Sequence, residues 1–305
     1  MGHGHRHAPA TAGGVHSRRL VVVLGLTLAV LAAEVVGAVL SGSLALLADA
    51  GHMATDAAGL ALALAAVRLA PRPARGRRTF GWQRVEILAA VANGLLLLVV
   101  AGYVLVAAIR RIGHPPEIGS GLMLVVAAVG LVVNLGSLAV LHGGRDDSLN
   151  VRGAYLEVLA DALGSVAVIV AAVVIATTGW TPADIVASAV IGLLVVPRAW
   201  HLLREAFDVL LEAAPRGVDL DEVRAHILGV DGVLDVHDLH ALTITSGSPV
   251  LSAHVVVTDE ALAAGHGGRV LDALCSCLGE HFDMEHCTFQ LEAEAHAGHE
   301  SPVHD

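Results

Sequence analysis

The sequence predicts an α-helical polytopic membrane protein: a six-helix transmembrane bundle followed by a small α+β cytoplasmic domain at the C-terminus. Of the 305 residues, 55% are hydrophobic and only 15% are charged, whereas a soluble globular domain carries about 25% charged residues. The apolar residues gather in runs at 19–40, 44–69, 83–109, 118–141, 151–178 and 183–205. About 20 mostly apolar residues suffice to cross a bilayer as a helix, so each run is a span. After Leu211 the runs give way to alternating and amphipathic segments.

Residues 1–17 hold His3, His5, His7 and His16 among Gly and Pro, and such a segment has too little apolar surface to fold alone. These His either collect metal loosely or reflect a biased tail. The run after Arg19 is longer than a signal-peptide core and lacks a small-residue cleavage site, so it is expected to stay as a span. The breaks between spans are polar or helix-ending: Ser41-Gly42-Ser43, the Arg/Pro/Gly stretch 68–78, Gly113-His114-Pro115-Pro116, His142 to Asn150 and Thr178 to Pro182. Six spans put both termini on one side. With that side cytoplasmic, thirteen Arg flank the inner span ends (6, 18, 19, 68, 72, 75, 77, 78, 84, 145, 152, 198 and 204) and only Arg110 and Arg111 the outer ends. Basic residues near span ends favour the cytoplasm, so both termini are expected there, in the cell membrane. The Arg cluster at 72–78 sets topology beside anionic headgroups.

The transport region is thus 18–211. In 212–293, Val218–Leu228 predicts a helix with Asp219 near its cap and Gly229 at its end. Segments 233–245 and 250–258 alternate and are joined by Ser246-Gly247-Ser248-Pro249, a hairpin. Gly268–Phe282 predicts a second helix and 286–292 a third strand, giving α-β-β-α-β with one antiparallel sheet. Residues 294–305 are expected to be a second polar tail. The chain has no Lys, and 18 Arg against 29 Asp and Glu leave a formal charge of −11. That balance excludes nucleic acid as a partner, since phosphate binding wants a basic surface. Cys275, Cys277 and Cys287 show no CxxC spacing. They suggest reduced thiols that pack a helix and a strand rather than a disulfide framework or ligands.

The chemistry lies inside the spans. The second carries Asp49, His52 and Asp56, the fifth Glu157 and Asp161. A charged side chain at mid-bilayer costs at least ~2.5–3.5 kcal/mol, so such groups face the bundle interior and mark an ion or proton path. Residues 52/56 and 157/161 are both i,i+4 pairs, each on one helix face. Together they offer one imidazole and three carboxylates, a set suited to a divalent metal. Asp49 is either an outer-mouth relay for the metal or an interface group. Glu34 and Asn134 are equally helix-packing groups or ligands, Glu86 is expected to pair with an Arg, and Asp184 to be a solvated carboxylate near the outer end. In the C-terminal region His237 and His240 lie on one strand, where alternation puts them on opposite faces. The preferred ligand set of a regulatory metal site there is His237, His254 and His286, with Glu292 on the last strand.

At these residues the chain resembles the cation diffusion facilitator family, in its zinc-transporter branch. The resemblance runs from about residue 19 to 293 through SGSLALLADAGHMATD, TFGWQRVEILAAVANG, LNVRGAYLEVLADALGS, VHDLHALTITSG, LSAHVVV and HCTFQLE. It implies a homodimer of six-helix protomers with a metallochaperone-like cytoplasmic domain. It also implies exchange of cytosolic Zn2+ for protons by alternating access. Carried over position by position, His52, Asp56, Glu157 and Asp161 are the transport site, and His237, His254, His286 and Glu292 match cytoplasmic ligands. The family's zinc branch usually has His where this chain has Glu157. One His and three ionised carboxylates around a divalent ion leave a net charge of minus one, unfavourable in a low-dielectric pore. One carboxyl, Glu157 for instance, is therefore expected to stay protonated or to cycle its proton. An oxygen-richer site also weakens the preference for Zn2+ over Mn2+ or Co2+. The His-rich loop common between the fourth and fifth spans is missing here, and Ala241 replaces a frequent Trp.

Two other classes compete. An intramembrane metallohydrolase needs an open coordination position and a general base, as in H-E-x-x-H, and that motif does not occur. A membrane metal sensor without transport makes Asp56 and Asp161 dispensable.

Overall fold

The computed structural model describes residues 10–69, 72–73, 76–77, 79–113, 116–142, 149–245, 248–263, 266–282, 284 and 286–297. The helices in chain order are α1 (Ala10–Ser41), α2 (Leu44–Leu69), α3 (Val85–Arg111), α4 (Ser120–His142), α5 (Leu149–Thr178) and α6 (Pro182–Leu210). The C-terminal elements are α7 (Leu220–Leu228), β1 (Val233–Thr243), β2 (Pro249–Val257), α8 (Asp259–Leu262), α9 (Gly267–Phe282), β3 (His286–Ala293) and α10 (Glu294–Ala297). The chain divides into two units, one of residues up to Leu62 with Ala92–His201, the other of Ala63–Val91 with Leu202 onward.

Among the described residues five helices are long and apolar enough to cross a membrane: Val22–Ser41 of α1, then α3, α4, Tyr155–Thr178 of α5, and α6. The sixth, α2, has 26 residues and holds Asp49, His52 and Asp56. At about 1.5 Å per residue it is also long enough to span. In the first unit α4 packs against α1 and α5, around a core that includes Ala38, Ala45, Leu46, Met123, Ala127 and Val168. Small residues dominate that core and let the helix axes approach closely, as membrane helices require. Apolar side chains such as Val39, Val99, Val132 and Leu194 point outward and are exposed, a face suited to lipid. Gly42 joins α1 to α2 at a φ of 70°, a conformation open to glycine without steric cost. Pro197 stands inside α6, where its missing N–H removes one i→i−4 bond beside Arg198.

In the second unit β1 and β2 are antiparallel and β3 joins β2 in parallel. The sheet is mixed, not antiparallel as expected, because α9 carries the chain back across before β3 begins. One sheet face packs with α7 and α9 around Val223, Ile227, Val236, Leu251, Val255, Leu274 and Leu278. Asp219 caps α7, its carboxylate accepting the Asp221 N–H at 2.9 Å, as the sequence predicts.

Two tail expectations change. The first helix starts at Ala10, inside the predicted N-terminal tail, and 294–297 form a short helix where a tail was expected. His3, His5, His7, Arg6 and Arg145 lie outside the described residues.

Candidate metal centre

The polar residues of α2 and α5 meet within the first unit. His52 Nε2 lies 3.6 Å from Asp56 Oδ2 and 4.0 Å from Asp161 Oδ1. One ligand atom from each of the three is within 4.8 Å of the others. The i,i+4 spacing aims His52 and Asp56 from one face of α2, and α5 supplies Asp161. His52 and Asp161 are buried. Asp161 Oδ1 has no hydrogen-bond partner, an arrangement that a bound ion would satisfy. Ligands about 2.0–2.2 Å from a tetrahedral Zn2+ stand about 3.3–3.6 Å apart, so the two separations from His52 need only a small contraction.

Glu157 is not in this trio. It is exposed on α5, and Arg198 Nη2 donates to its Oε1 at 2.6 Å. The same guanidinium donates through Nη1 to Asp56 Oδ2 at 3.3 Å. Arg198, counted at the sequence level only as a topology charge, therefore clamps one carboxylate of the trio to the carboxylate left outside it. Its i-to-j separations of 142 and 41 residues give the sequence no local signal of the pairing.

Asp49 is also outside the trio. It is buried on α2, and a methyl group at Gly164 of α5 would overlap its Oδ1. Asp49 thus packs directly against α5 at Gly164. Glu34 is buried on α1 with neither carboxylate oxygen hydrogen-bonded, beside Gly130 of α4. Asp184 is not a solvated carboxylate. It is fully buried and caps α2 from α6, accepting Ser43 Oγ–H at 2.6 Å, Leu44 N–H at 2.8 Å and Ala45 N–H at 3.1 Å. Arg111 stands 3.5 Å from it and donates to the Gly42 carbonyl. Glu86 accepts from Thr245 Oγ at 2.5 Å.

On the sheet face away from α7 and α9, His237, His254 and Glu292 form a second cluster. His254 Nδ1 is 2.8 Å from Glu292 Oε1, and His237 Nε2 is 3.3 Å from Glu292 Oε2. Glu292 is buried, and Gln290 donates to it at 2.7 Å.

Two strand expectations fail here. Register pairs His237 with His254 but His240 with Ser252, so β1 carries one extra residue between them. Asp238 takes a φ of 51° at that bulge, which returns His240 to the face of His237. His240 Nε2 lies 3.1 Å from Asp238 Oδ1. His286 does not join the cluster. Parallel pairing sets Gln290 beside His254 and His286 beside Val250, four residues or about 13 Å further along the strand.

A third group was missed as a site: His226 of α7 with Cys277 and His281 of α9. Cys287, in contrast, has its thiol pushed up to about 11 by burial and, secondarily, by Cys275, as a packed thiol should.

A helical bundle with a His/Asp/Asp set inside it, carrying an α+β domain with its own His/Glu cluster, has the parts of a membrane cation carrier. The chain belongs to the cation efflux family: residues 20–211 match its "Cation efflux transmembrane domain" and residues 215–294 its "Cation efflux protein, cytoplasmic domain". It is a multi-pass membrane transporter with a cytoplasmic C-terminal domain. The metal cation efflux system protein CzcD of Cupriavidus metallidurans is 48% identical over 96% of this chain and 90% of its own length. The zinc transporter ZitB of Escherichia coli is 41% identical over 96% and 93%. A cadmium, cobalt and zinc/H(+)-K(+) antiporter of Bacillus subtilis is 38% identical over 97% and 93%.

Proposed function

We propose that this protein exports cytosolic Zn2+ in exchange for protons, with Cd2+ and Co2+ as further substrates. The observation that carries the reading is the trio of buried His52, half-buried Asp56 and buried Asp161, whose ligand atoms lie within 4.8 Å of one another. The metals in the names of its relatives and the antiporter among them support it. Neutral His52 with two ionised aspartates exactly offsets the charge of a divalent ion, while Arg198 neutralises Glu157. The complex is then uncharged without a protonated Glu157. Imidazole and carboxylates hold metal only when deprotonated, so protons entering from the opposite side compete for the same atoms and release the cargo. Asp49 stays a packing group in this reading.

The bundle, 18–211, rocks between inward-open and outward-open states around this fixed site. Both termini face the cytoplasm in the cell membrane, and the domain of 212–293 pairs two copies. His237, His254 and Glu292 hold a regulatory metal there. Expression in cells made zinc-sensitive tests the reading: the wild-type chain restores growth in Zn2+, and Asp161→Ala, inserted at equal level, does not. Restored growth by Asp161→Ala would contradict it and favour a role without transport through this site.

A further inference from the structure

The third cluster lies in the cytoplasmic domain, in the helix layer on the opposite side of the sheet from His237, His254 and Glu292. Cys277 and His281 are four residues apart on α9 and so share one helix face, which meets His226 in the last turn of α7. Cys277 Sγ is 3.5 Å from His226 Nδ1. In a tetrahedral site with a thiolate at about 2.3 Å and an imidazole at about 2.0 Å, those two ligand atoms stand about 3.5 Å apart. The pair already has the spacing of two ligands on one ion.

The second imidazole is oriented as a ligand too. His281 Nδ1 is 2.8 Å from the Cys277 carbonyl, which can only accept. Nδ1 therefore carries the proton, and neutral His281 keeps its lone pair on Nε2, the arrangement in which metal-binding histidines are held by an outer partner. The His226 and His281 rings are 4.6 Å apart, and the edge of Phe282 packs against His226 at 5.2 Å. All three ligand atoms lie within 4.8 Å of one another. His281 is exposed and the other two half-buried, so an ion has a path in and a fourth position open to water.

We propose that His226, Cys277 and His281 form a second metal site of the cytoplasmic domain, which takes a thiophilic divalent cation, Zn2+ or Cd2+, through two imidazoles and one thiolate. Binding converts the thiol to a thiolate and releases one proton to solvent. The site ties α7 to α9, so its occupancy stiffens the helix layer independently of the transport trio and of the sheet-face cluster.

Co2+ added to the full-length protein in detergent tests this, because a thiolate bound to Co2+ gives a near-ultraviolet charge-transfer band that imidazole and carboxylate ligands do not. The wild-type chain should show the band, and Zn2+ should abolish it by displacement. Cys277→Ser should lose it and His226→Ala should weaken it, while Cys275→Ser, Cys287→Ser and His254→Ala keep it. No band in the wild type, a band that survives Cys277→Ser, or one lost instead with Cys275→Ser would overturn the proposal.

Discussion

At the His52, Asp56 and Asp161 trio, single side chains decide the chemistry. His52, Asp56 and Asp161 were legible in the sequence because ionisable groups inside apolar runs are expensive and two i,i+4 pairs aim at one point. Arg198 was not. A long basic side chain near a span end reads as a topology signal, and only the packed helices show it donating to Asp56 and Glu157. The clamp has a consequence for selectivity. Arg198→Gln frees Glu157 to supply another oxygen, and a harder ligand set favours Mn2+ relative to Zn2+. Competition binding should show Mn2+ gaining severalfold against Zn2+ in this variant; an unaltered ratio would mean that Glu157 stays out of the site even when released.

Between elements, the decisive contacts are long-range. The start of α2 is held by a carboxylate from α6, and Asp184 reaches Ser43 and Leu44 across about 140 residues of sequence. Helix N-termini expose unpaired N–H groups, and inside a membrane no water satisfies them, which is why Asp184 turns inward rather than to solvent. Asp184→Ala should lower stability by roughly 1–3 kcal/mol, the cost of a lost cap that leaves buried donors unpaired. The thermal midpoint of the purified protein in detergent checks this, and an unchanged midpoint would show that the cap is dispensable. In the cytoplasmic domain the two helices and three strands were legible from periodicity and caps. Their pairing was not. Strand direction depends on where α9 sends the chain, and the bulge at Asp238 breaks the simple alternation that separated His237 from His240. The α7–α9 group escaped notice for a similar reason: Cys277 and His281 form an i,i+4 pair, but their partner His226 lies 51 residues away from Cys277.

For the whole molecule, composition and the six runs were enough to predict a membrane bundle with a cytoplasmic domain, since hydropathy is the strongest constraint a bilayer imposes. The motifs then pointed to the family that the two matched regions bear out. The central claim is that the trio His52, Asp56 and Asp161 alternately holds a divalent metal and the protons that displace it. The most direct measurement is metal flux into proteoliposomes under an imposed proton gradient, comparing Zn2+, Cd2+, Co2+ and Mn2+ for the wild-type chain and Asp161→Ala. Gradient-dependent Zn2+ flux that exceeds Mn2+ flux and vanishes in Asp161→Ala is the predicted result. Zn2+ flux that ignores the proton gradient, or that persists undiminished in Asp161→Ala, would contradict the account.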